Sequence, residues 1–210
     1  MTQGETAMDD TLLYHHGNRD LQDQFDSRRI ADRLEEKLTR TRFSDGDRDT
    51  IQAAGFFFLA TADAQGRPDC SFKGGAPGFV RVLAPDLMAF PDYDGNGMFK
   101  SMGNIAVNPA IGMLFIDMQG NGKRLRVNGD ASIERDDTLL ASTVGAQLIV
   151  RVRPRAIFPN CPRYIPRQPT TELSPYVPVA GQKPTEPAWK GFADFKDYVP
   201  KRHPTFDGTS

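Results

Sequence analysis

The sequence predicts a mainly β (α+β) protein in which an antiparallel barrel follows N-terminal helices and precedes a proline-rich tail. About six apolar runs succeed one another with short connections and few helices between them, an order typical of antiparallel sheets. Eleven of the 16 prolines lie after residue 153, which disfavours regular strands or long helices in the tail. We therefore expect a helical extension over residues 1–54, a barrel over 55–158 and an extended tail over 159–210.

Composition limits the partners of the chain. Its 210 residues are 39% hydrophobic and 25% charged with a net charge of −1, which suits one globular domain with a buried core. No basic run favours nucleic acid or an anionic membrane, and no apolar run has the length of a signal peptide or a membrane span. Only Cys70 and Cys161 are present, without the Cys and His spacing of a zinc site. We expect a cytoplasmic protein without a metal.

Helical periodicity dominates the region before the barrel. One amphipathic helix is expected from Asn18 to Thr39, lying on the surface of the domain with an apolar stripe formed by Leu21, Phe25, Ile30, Leu34 and Leu38. The adjacent His15 and His16 would point apart in an extended segment, which disfavours metal ligation. Ser44 and Asp47 have the spacing of a helix start, and the second helix should end near Ala54.

The barrel is expected to begin with a hairpin. Residues 55–62 are rich in aromatic and β-branched side chains, and the turn sequence of residues 63–66 separates them from a second strand over 68–73. A glycine-rich stretch, residues 74–78, then interrupts the strand pattern. Further strands are expected, with a short helix over 135–142, in residues 79–83, 87–90, 111–116, 123–133 and 147–158.

The stretch from Phe90 to Pro109 connects a strand to a short helix and offers the clearest candidate site. A glycine-bearing turn is followed by Lys100, Ser101 and Asn104 at helical spacing. Free backbone N–H groups at a helix start, together with an ammonium, a hydroxyl and an amide, suit a phosphate group. The alternative is a solvated connection that binds nothing.

Two arginines alternate with apolar residues in the strand over 123–133. Arg124 and Arg126 should project to one face, and Leu125 and Val127 to the other. One interpretation is an exposed, solvated strand face. The other is a site for an anion or a ring oxygen, because a guanidinium donates hydrogen bonds in a planar fork.

The order of these motifs resembles that of the pyridoxamine 5′-phosphate oxidase-like flavoproteins. ATADAQGRP, SFKGG, FPDYDGNGMFKSMGNI, MLFID and KRLRVNG follow one another in the family's order between residues 56 and 158, and NCPRYI resembles a bacterial subgroup. The resemblance implies an FMN-binding split β-barrel of antiparallel Greek-key type. It also implies a homodimer with FMN at its interface, gripped through the phosphate near the position that matches residues 90–93.

Carried over position by position, the resemblance implies cofactor contacts on several segments. Lys100 and Ser101 fall where the oxidases have the Arg-Lys of their phosphate-binding turn. Arg124 falls where they have the Gln that reaches the isoalloxazine ring, and Arg126 matches their second Arg of that strand. The full set of implied cofactor-binding residues is Ser71, Lys73, Pro91, Asp92, Tyr93, Asn96, Lys100, Ser101, Asn104, Arg124 and Arg126.

The chain departs from the oxidases in one respect. It lacks their C-terminal signature of paired Arg and His that holds the vitamin substrate, so the vitamin reaction itself is not supported. The expectation is an FMN-dependent oxidoreductase acting on an unidentified small molecule, with no catalytic residue assigned. Other classes stay open: a non-catalytic flavin-binding or redox-sensing module, or a barrel that binds haem or deazaflavin. Cys161 is expected to be a buried thiol, and His203 a solvated residue of the tail.

Overall fold

The computed structural model describes residues 10–118, 122–161, 177, 179–183, 185–186 and 188–193. Its centre is an antiparallel sheet of seven strands: β1 (Phe56–Ala62), β2 (Pro68–Gly74), β3 (Arg81–Ala84), β4 (Leu87–Tyr93), β5 (Ala110–Ile116), β6 (Arg124–Glu134) and β7 (Ala146–Asn160). The strand order is β2-β1-β5-β6-β7-β4-β3, so β2 and β3 are the two edges and the sheet is not closed. The predicted antiparallel, mainly β architecture is confirmed.

An aromatic cluster shows how the open sheet curls into a split barrel. The Phe57 ring on β1 lies 5.0 Å from Phe90 on β4 and 5.3 Å from Phe115 on β5, measured between ring centroids. Three strands separate β1 from β4 in the sheet, so this contact requires the two halves to face each other across a common core. All three rings are at most 1% exposed.

The first hairpin forms as the turn sequence predicts. Asp63 accepts backbone N–H hydrogen bonds from Gln65 at 2.9 Å and Arg67 at 3.0 Å, and Gly66 takes the positive φ that closes the turn. β1 then pairs with β2 along its whole length.

A bulge bends the two longest strands. The register of β6 against β7 shifts at Gly129, where an added Cβ would lie 2.3 Å from the carbonyl oxygen of Arg153. The opposite residue is Pro154, which has no N–H to donate. This bend lets β7 pair with β6 along most of its length and with β4 near its start.

The prediction of a single helix from Asn18 to Thr39 is wrong, because the structure has two helices in this region. α1 (His16–Gln24) and α2 (Arg28–Leu38) are separated by a turn in which Asp26 adopts φ +49°. His15 caps α1 by accepting the Gly17 N–H at 3.2 Å, a use of the ring that the sequence analysis missed. The apolar positions are four residues apart within each helix but five apart between Phe25 and Ile30, so the change of spacing marks the break in the pattern.

The apolar stripe of this helix pair is exposed. Leu21, Phe25 and Ile30 are 57%, 72% and 57% exposed. The two helices are joined instead by a polar contact: Arg19 forms an ion pair of 2.6 Å with Asp32. The same guanidinium lies 5.0 Å from the centre of the Tyr14 ring.

Two further expectations are corrected in the second half of the chain. The helix expected over 135–142 is only a 3-10 turn, Leu140–Ser142, because Asp137 is held by Arg151 at 2.6 Å and by the Leu139 N–H at 2.8 Å. Cys161, expected to be buried, is exposed.

In the tail, Ala188–Gly191 forms a 3-10 turn and Phe192 is 56% exposed, while Phe195 and His203 lie outside the described residues.

The helix expected after Ser44 is confirmed as α3 (Asp45–Ala53). The Ser44 hydroxyl accepts the Asp47 N–H at 3.2 Å, and the Asp47 carboxylate accepts the Ser44 N–H at 2.9 Å, so each residue satisfies the other's backbone. Arg40 adds an ion pair of 2.6 Å to the buried carboxylate. Burial alone would raise the pKa of Asp47, but the hydrogen bonds from Arg40 and Ser44 outweigh it and hold that pKa below its ordinary value.

We expect Asp47→Asn to lower the free energy of unfolding by about 1–3 kcal/mol at neutral pH, because it removes a charge from a hydrogen-bonded network. A carboxyl with a depressed pKa stabilises the fold above its unfolded pKa and loses that effect as pH falls through its folded pKa. The gap between wild type and variant in urea unfolding should therefore close in acid. Asp45→Asn, an exposed acid at the same helix start, is the control and should cost a few tenths of that. A gap independent of pH would contradict the interpretation.

Candidate active site

Five of the predicted site residues lie on β2 and β4. Lys73 and Ser71 alternate along β2 opposite Phe57 and Leu59 of β1, so they share the face that turns toward the core. The Lys73 Nζ lies 3.5 Å from Oδ1 of Asp92 on β4. This ion pair crosses between the two halves of the curled sheet. Next to Asp92 on β4 are Pro91, which is buried, and Tyr93, which is half-buried.

Burial dominates the electrostatics of this pair. It raises the pKa of the Asp92 carboxyl, and the Lys73 ammonium offsets part of that rise. Burial also raises the pKa of the Tyr93 hydroxyl, against a smaller opposing effect of Arg81. Burial favours the neutral form of Asp92. The Lys73 ammonium is therefore suited to pair with a second anion as well.

The turn before the fourth helix is built by local hydrogen bonds and positive φ angles. Asn96 Oδ1 accepts the Met98 N–H at 3.1 Å, Gly97 adopts φ +79°, and Phe99 adopts φ +47° as the N-cap. A bulky residue with positive φ costs about 1 kcal/mol or more, and the Phe99 side chain does not cap the helix. The helix that follows, α4 (Lys100–Val107), therefore starts with an exposed lysine, next to the backbone N–H groups of its first turn.

The remaining polar residues of α4 attach the helix to the barrel. The Asn104 Nδ2 donates to Thr61 Oγ1 at 2.9 Å, and both residues are buried. Ser101 is also buried, at 4% exposure. Of the three residues expected to hold a phosphate, Lys100 alone is exposed to solvent. Sequence reasoning missed Thr61, whose alternation in β1 gives it the buried face but does not reveal its partner.

The two arginines of β6 lie on the face that sequence alternation predicts. Leu125 and Val127 are in the core, whereas Arg126 is exposed and Arg124 is half-buried. The Arg124 guanidinium donates to the carbonyl oxygen of Cys161, and its Nε is buried without a hydrogen-bond partner among the described residues. No hydrogen bond or ion pair in the described part of the chain joins either arginine to the β2–β4 pair or to α4.

These groups fit the ends of FMN. An ammonium at a helix start and a second ammonium on β2 are donors for a phosphate. A buried Nε–H without a partner is a donor for a ring carbonyl.

No set of three or more metal-ligating side chains occurs among the described residues, and none of the described helices is long and apolar enough to cross a membrane. A surface depression of about 440 Å³ lined by Glu134–Thr138 and Arg151 contains none of the predicted residues.

We expect Lys73→Met to lower the free energy of unfolding by about 1–3 kcal/mol at mildly alkaline pH, because it leaves a buried carboxylate without its counterion. A carboxyl with a raised folded pKa costs stability as pH rises through that pKa, so the penalty should shrink in acid, where Asp92 is protonated. Urea unfolding across pH measures it. Asp92→Asn should flatten the dependence, and Lys100→Met, an exposed lysine, should not produce it. An equal loss at all pH values would show that only packing was disturbed.

Comparison with known proteins gives one family and a group of similar folds. Residues 43–169 match the family described as pyridoxamine 5′-phosphate oxidase. The comparison with curated protein sequences gives no match.

Three similar solved structures cover between 54% and 68% of this chain. A Lactobacillus delbrueckii protein named after pyridoxamine 5′-phosphate oxidase is 20% identical, with a TM-score of 0.46, over 57% of this chain and 95% of its own. An FMN-binding protein from Syntrophomonas wolfei is 14% identical, with a TM-score of 0.43, over 68% and 96%. HutZ, a heme storage protein from Vibrio cholerae, is 22% identical, with a TM-score of 0.40, over 54% and 90%.

The family match covers the barrel from Phe43 through β7, which is more than half of the chain. The matched range contains all seven strands and α4. This chain belongs to the pyridoxamine 5′-phosphate oxidase family.

Proposed function

We propose that this protein binds FMN and acts as a flavin-dependent oxidoreductase on a small molecule. The observation that carries the proposal is the start of α4, where Lys100 is exposed and the N-cap side chain accepts no hydrogen bond from the first backbone N–H groups. α4 packs against β2, the strand that carries Lys73. Two ammonium groups and a helix start on neighbouring elements favour a phosphate monoester as the ligand. The protein is further proposed to be cytoplasmic.

The second end of the ligand is assigned to β6. Arg124 has a buried Nε–H to donate, which would orient a ring carbonyl and favour electron density there. When bound, FMN supplies hydride chemistry, and the chain's own residues hold and orient it. Lys73 and Lys100 would neutralise the phosphate, and Asn104 would hold α4 in place through Thr61. The oxidation of the vitamin is not part of the proposal.

We further propose a homodimer with FMN at its interface. An exposed aromatic group supports it: Phe72 on β2 is 61% exposed, and its ring lies 5.3 Å from Phe56 and 5.9 Å from Phe58 on the outer face of the hairpin. Exposed apolar clusters of this kind mark interfaces. Within the described residues of one chain, no hydrogen bond or ion pair joins the β6 arginines to the phosphate turn. We propose that the arginines of one copy approach the phosphate turn of the other across the dimer interface.

Haem is a weaker candidate for the same barrel. Of the two histidines in the described residues, His15 accepts a hydrogen bond from Gly17 to cap α1, and His16 lies at the same helix start. An axial ligand would have to come from outside the barrel. The absorbance spectrum of the purified protein distinguishes flavin, deazaflavin and haem. Oxidation of NADH or NADPH by the FMN-loaded protein then distinguishes an enzyme from a binding or redox-sensing module.

We expect Lys100→Ala to weaken FMN binding about ten- to hundred-fold, because it removes a charge-assisted contact to the phosphate worth about 1.5–3 kcal/mol. Riboflavin lacks the phosphate, so its affinity should hardly change. Paired titrations of FMN and riboflavin measure both effects. Lys37→Ala, which removes an exposed lysine from α2, is the matched control and should change neither affinity. An equal loss for both ligands would assign Lys100 to the ring or the fold.

We expect wild type to have the mass of a dimer at micromolar concentration, and Phe72→Asp to shift it toward a monomer, because a carboxylate cannot be desolvated without a partner. Light scattering measures the mass. Phe25→Asp places the same charge at a comparably exposed phenylalanine of the helix pair. A monomeric wild type would refute the dimer, and a shift caused only by Phe25→Asp would place the interface on the N-terminal helices.

A further inference from the structure

Three buried side-chain atoms have no hydrogen-bond partner in the described part of the chain. They are Thr39 Oγ1, Arg124 Nε and Asn160 Oδ1. Each such atom costs about 1–3 kcal/mol if it stays unpaired, and native proteins rarely leave several together. The described residues contain no other such side-chain atom.

Strand register brings the three residues to one end of one sheet face. Arg124 and Asn160 are directly opposite each other in the β6–β7 pair. Residues opposite each other in an antiparallel pair share a face, so both point away from the core that contains Leu125. Phe158 lies on the same face, one pair further along β7, opposite Arg126.

Thr39 reaches this face from the other side of β7. Arg40 and Ile157 exchange backbone hydrogen bonds of 2.9 and 2.7 Å, and this bridge places Thr39 beside Phe158. Thr39 is extended, with φ −88° and ψ 136°, so its side chain alternates with that of Arg40. Strand pairing therefore places Thr39, Asn160 and Arg124 as neighbours on one face, next to Phe158.

The three atoms complement a particular chemical group. An Nε–H is a donor, an amide oxygen is an acceptor, and a hydroxyl is either. The edge of a cyclic imide, which has an N–H between two carbonyls, satisfies all three. The pyrimidine ring of a flavin has this edge, with one N–H between two carbonyls. A ring with carbonyls alone would leave Asn160 unpaired.

We propose that Thr39, Arg124 and Asn160 form the subsite that binds the imide edge of the flavin ring. Arg124 donates to a ring carbonyl, Asn160 accepts from the ring N–H, and the Thr39 hydroxyl binds a remaining carbonyl. This assignment rests on the proposed binding of FMN and adds Thr39 and Asn160 to it. It makes the imide N–H, rather than the phosphate, the group that this end of the site selects.

Titrations of FMN and 3-methyl-FMN test the assignment, because the methyl group removes only the imide N–H. Wild type should bind FMN about ten-fold more tightly than 3-methyl-FMN. In Asn160→Ala the FMN affinity should fall about ten-fold and the preference should disappear. Asn128→Ala, an exposed asparagine on the same face of β6, should keep both affinities.

Thermal unfolding without and with FMN provides a second measurement. Asn160→Ala and the nearly isosteric Thr39→Val each remove an unpaired buried atom, so the ligand-free variants should melt at or above the wild-type temperature. The rise in melting temperature that FMN causes should be smaller in both variants than in wild type.

Three results would overturn the assignment. One is equal binding of FMN and 3-methyl-FMN to wild type, and another is a preference that survives in Asn160→Ala. The third is a ligand-free variant that melts well below wild type with unchanged FMN affinity, since that marks a structural role filled by ordered water. Wild type that binds neither FMN nor riboflavin would instead refute the proposed function, on which the subsite depends.

Discussion

The packing of Phe57 against Phe90 is the contact on which the site depends. Strand pairing alone leaves β2 and β3 as separate edges, and it is the burial of these rings that brings β1 and β4 face to face. Lys73 lies directly opposite Phe57 in β2, and Asp92 is two residues beyond Phe90 in β4. The ion pair between them therefore forms only because the hydrophobic core has already set the distance between the strands.

The position of α4 follows from a second, polar constraint. A helix of this length is not stable alone, so its orientation must come from tertiary contacts. Asn104 supplies one of them through Thr61, in a buried place where an unpaired amide would be costly. Lys100, the first residue of the helix, is then exposed, while Phe99 before it takes a positive φ. Strained backbone next to an exposed cation supports the proposal that this turn holds a ligand.

Much of the fold could be predicted from the sequence, because it depends on local patterns. A dense run rich in aromatic residues indicated β1, and Ser44 with Asp47 indicated the start of α3, since each signal lies within a few residues. The break at Asp26 was missed although the spacing of the apolar positions changes there from four residues to five, between Phe25 and Ile30. The helix expected over 135–142 was wrong because Arg151, distant in sequence, holds Asp137 in a turn. This second error comes from a tertiary contact that overrides local preference.

The site was harder to predict for the same reason. The spacing of Lys100, Ser101 and Asn104 suggested three equivalent ligands, yet burial gives Asn104 a structural partner that only the fold reveals. The unpaired atoms of Thr39 and Asn160 could not be found from sequence at all, because they become costly only once β7 has been flanked on both sides. The exposure of the apolar stripe on the helix pair and of Phe72 likewise could not be found from sequence, because exposure depends on the fold. A single chain that leaves both polar atoms unpaired and apolar faces exposed has stability still to gain from a ligand and a partner. Because binding to the folded state alone adds to its stability, FMN and a second copy would act on the same folding equilibrium.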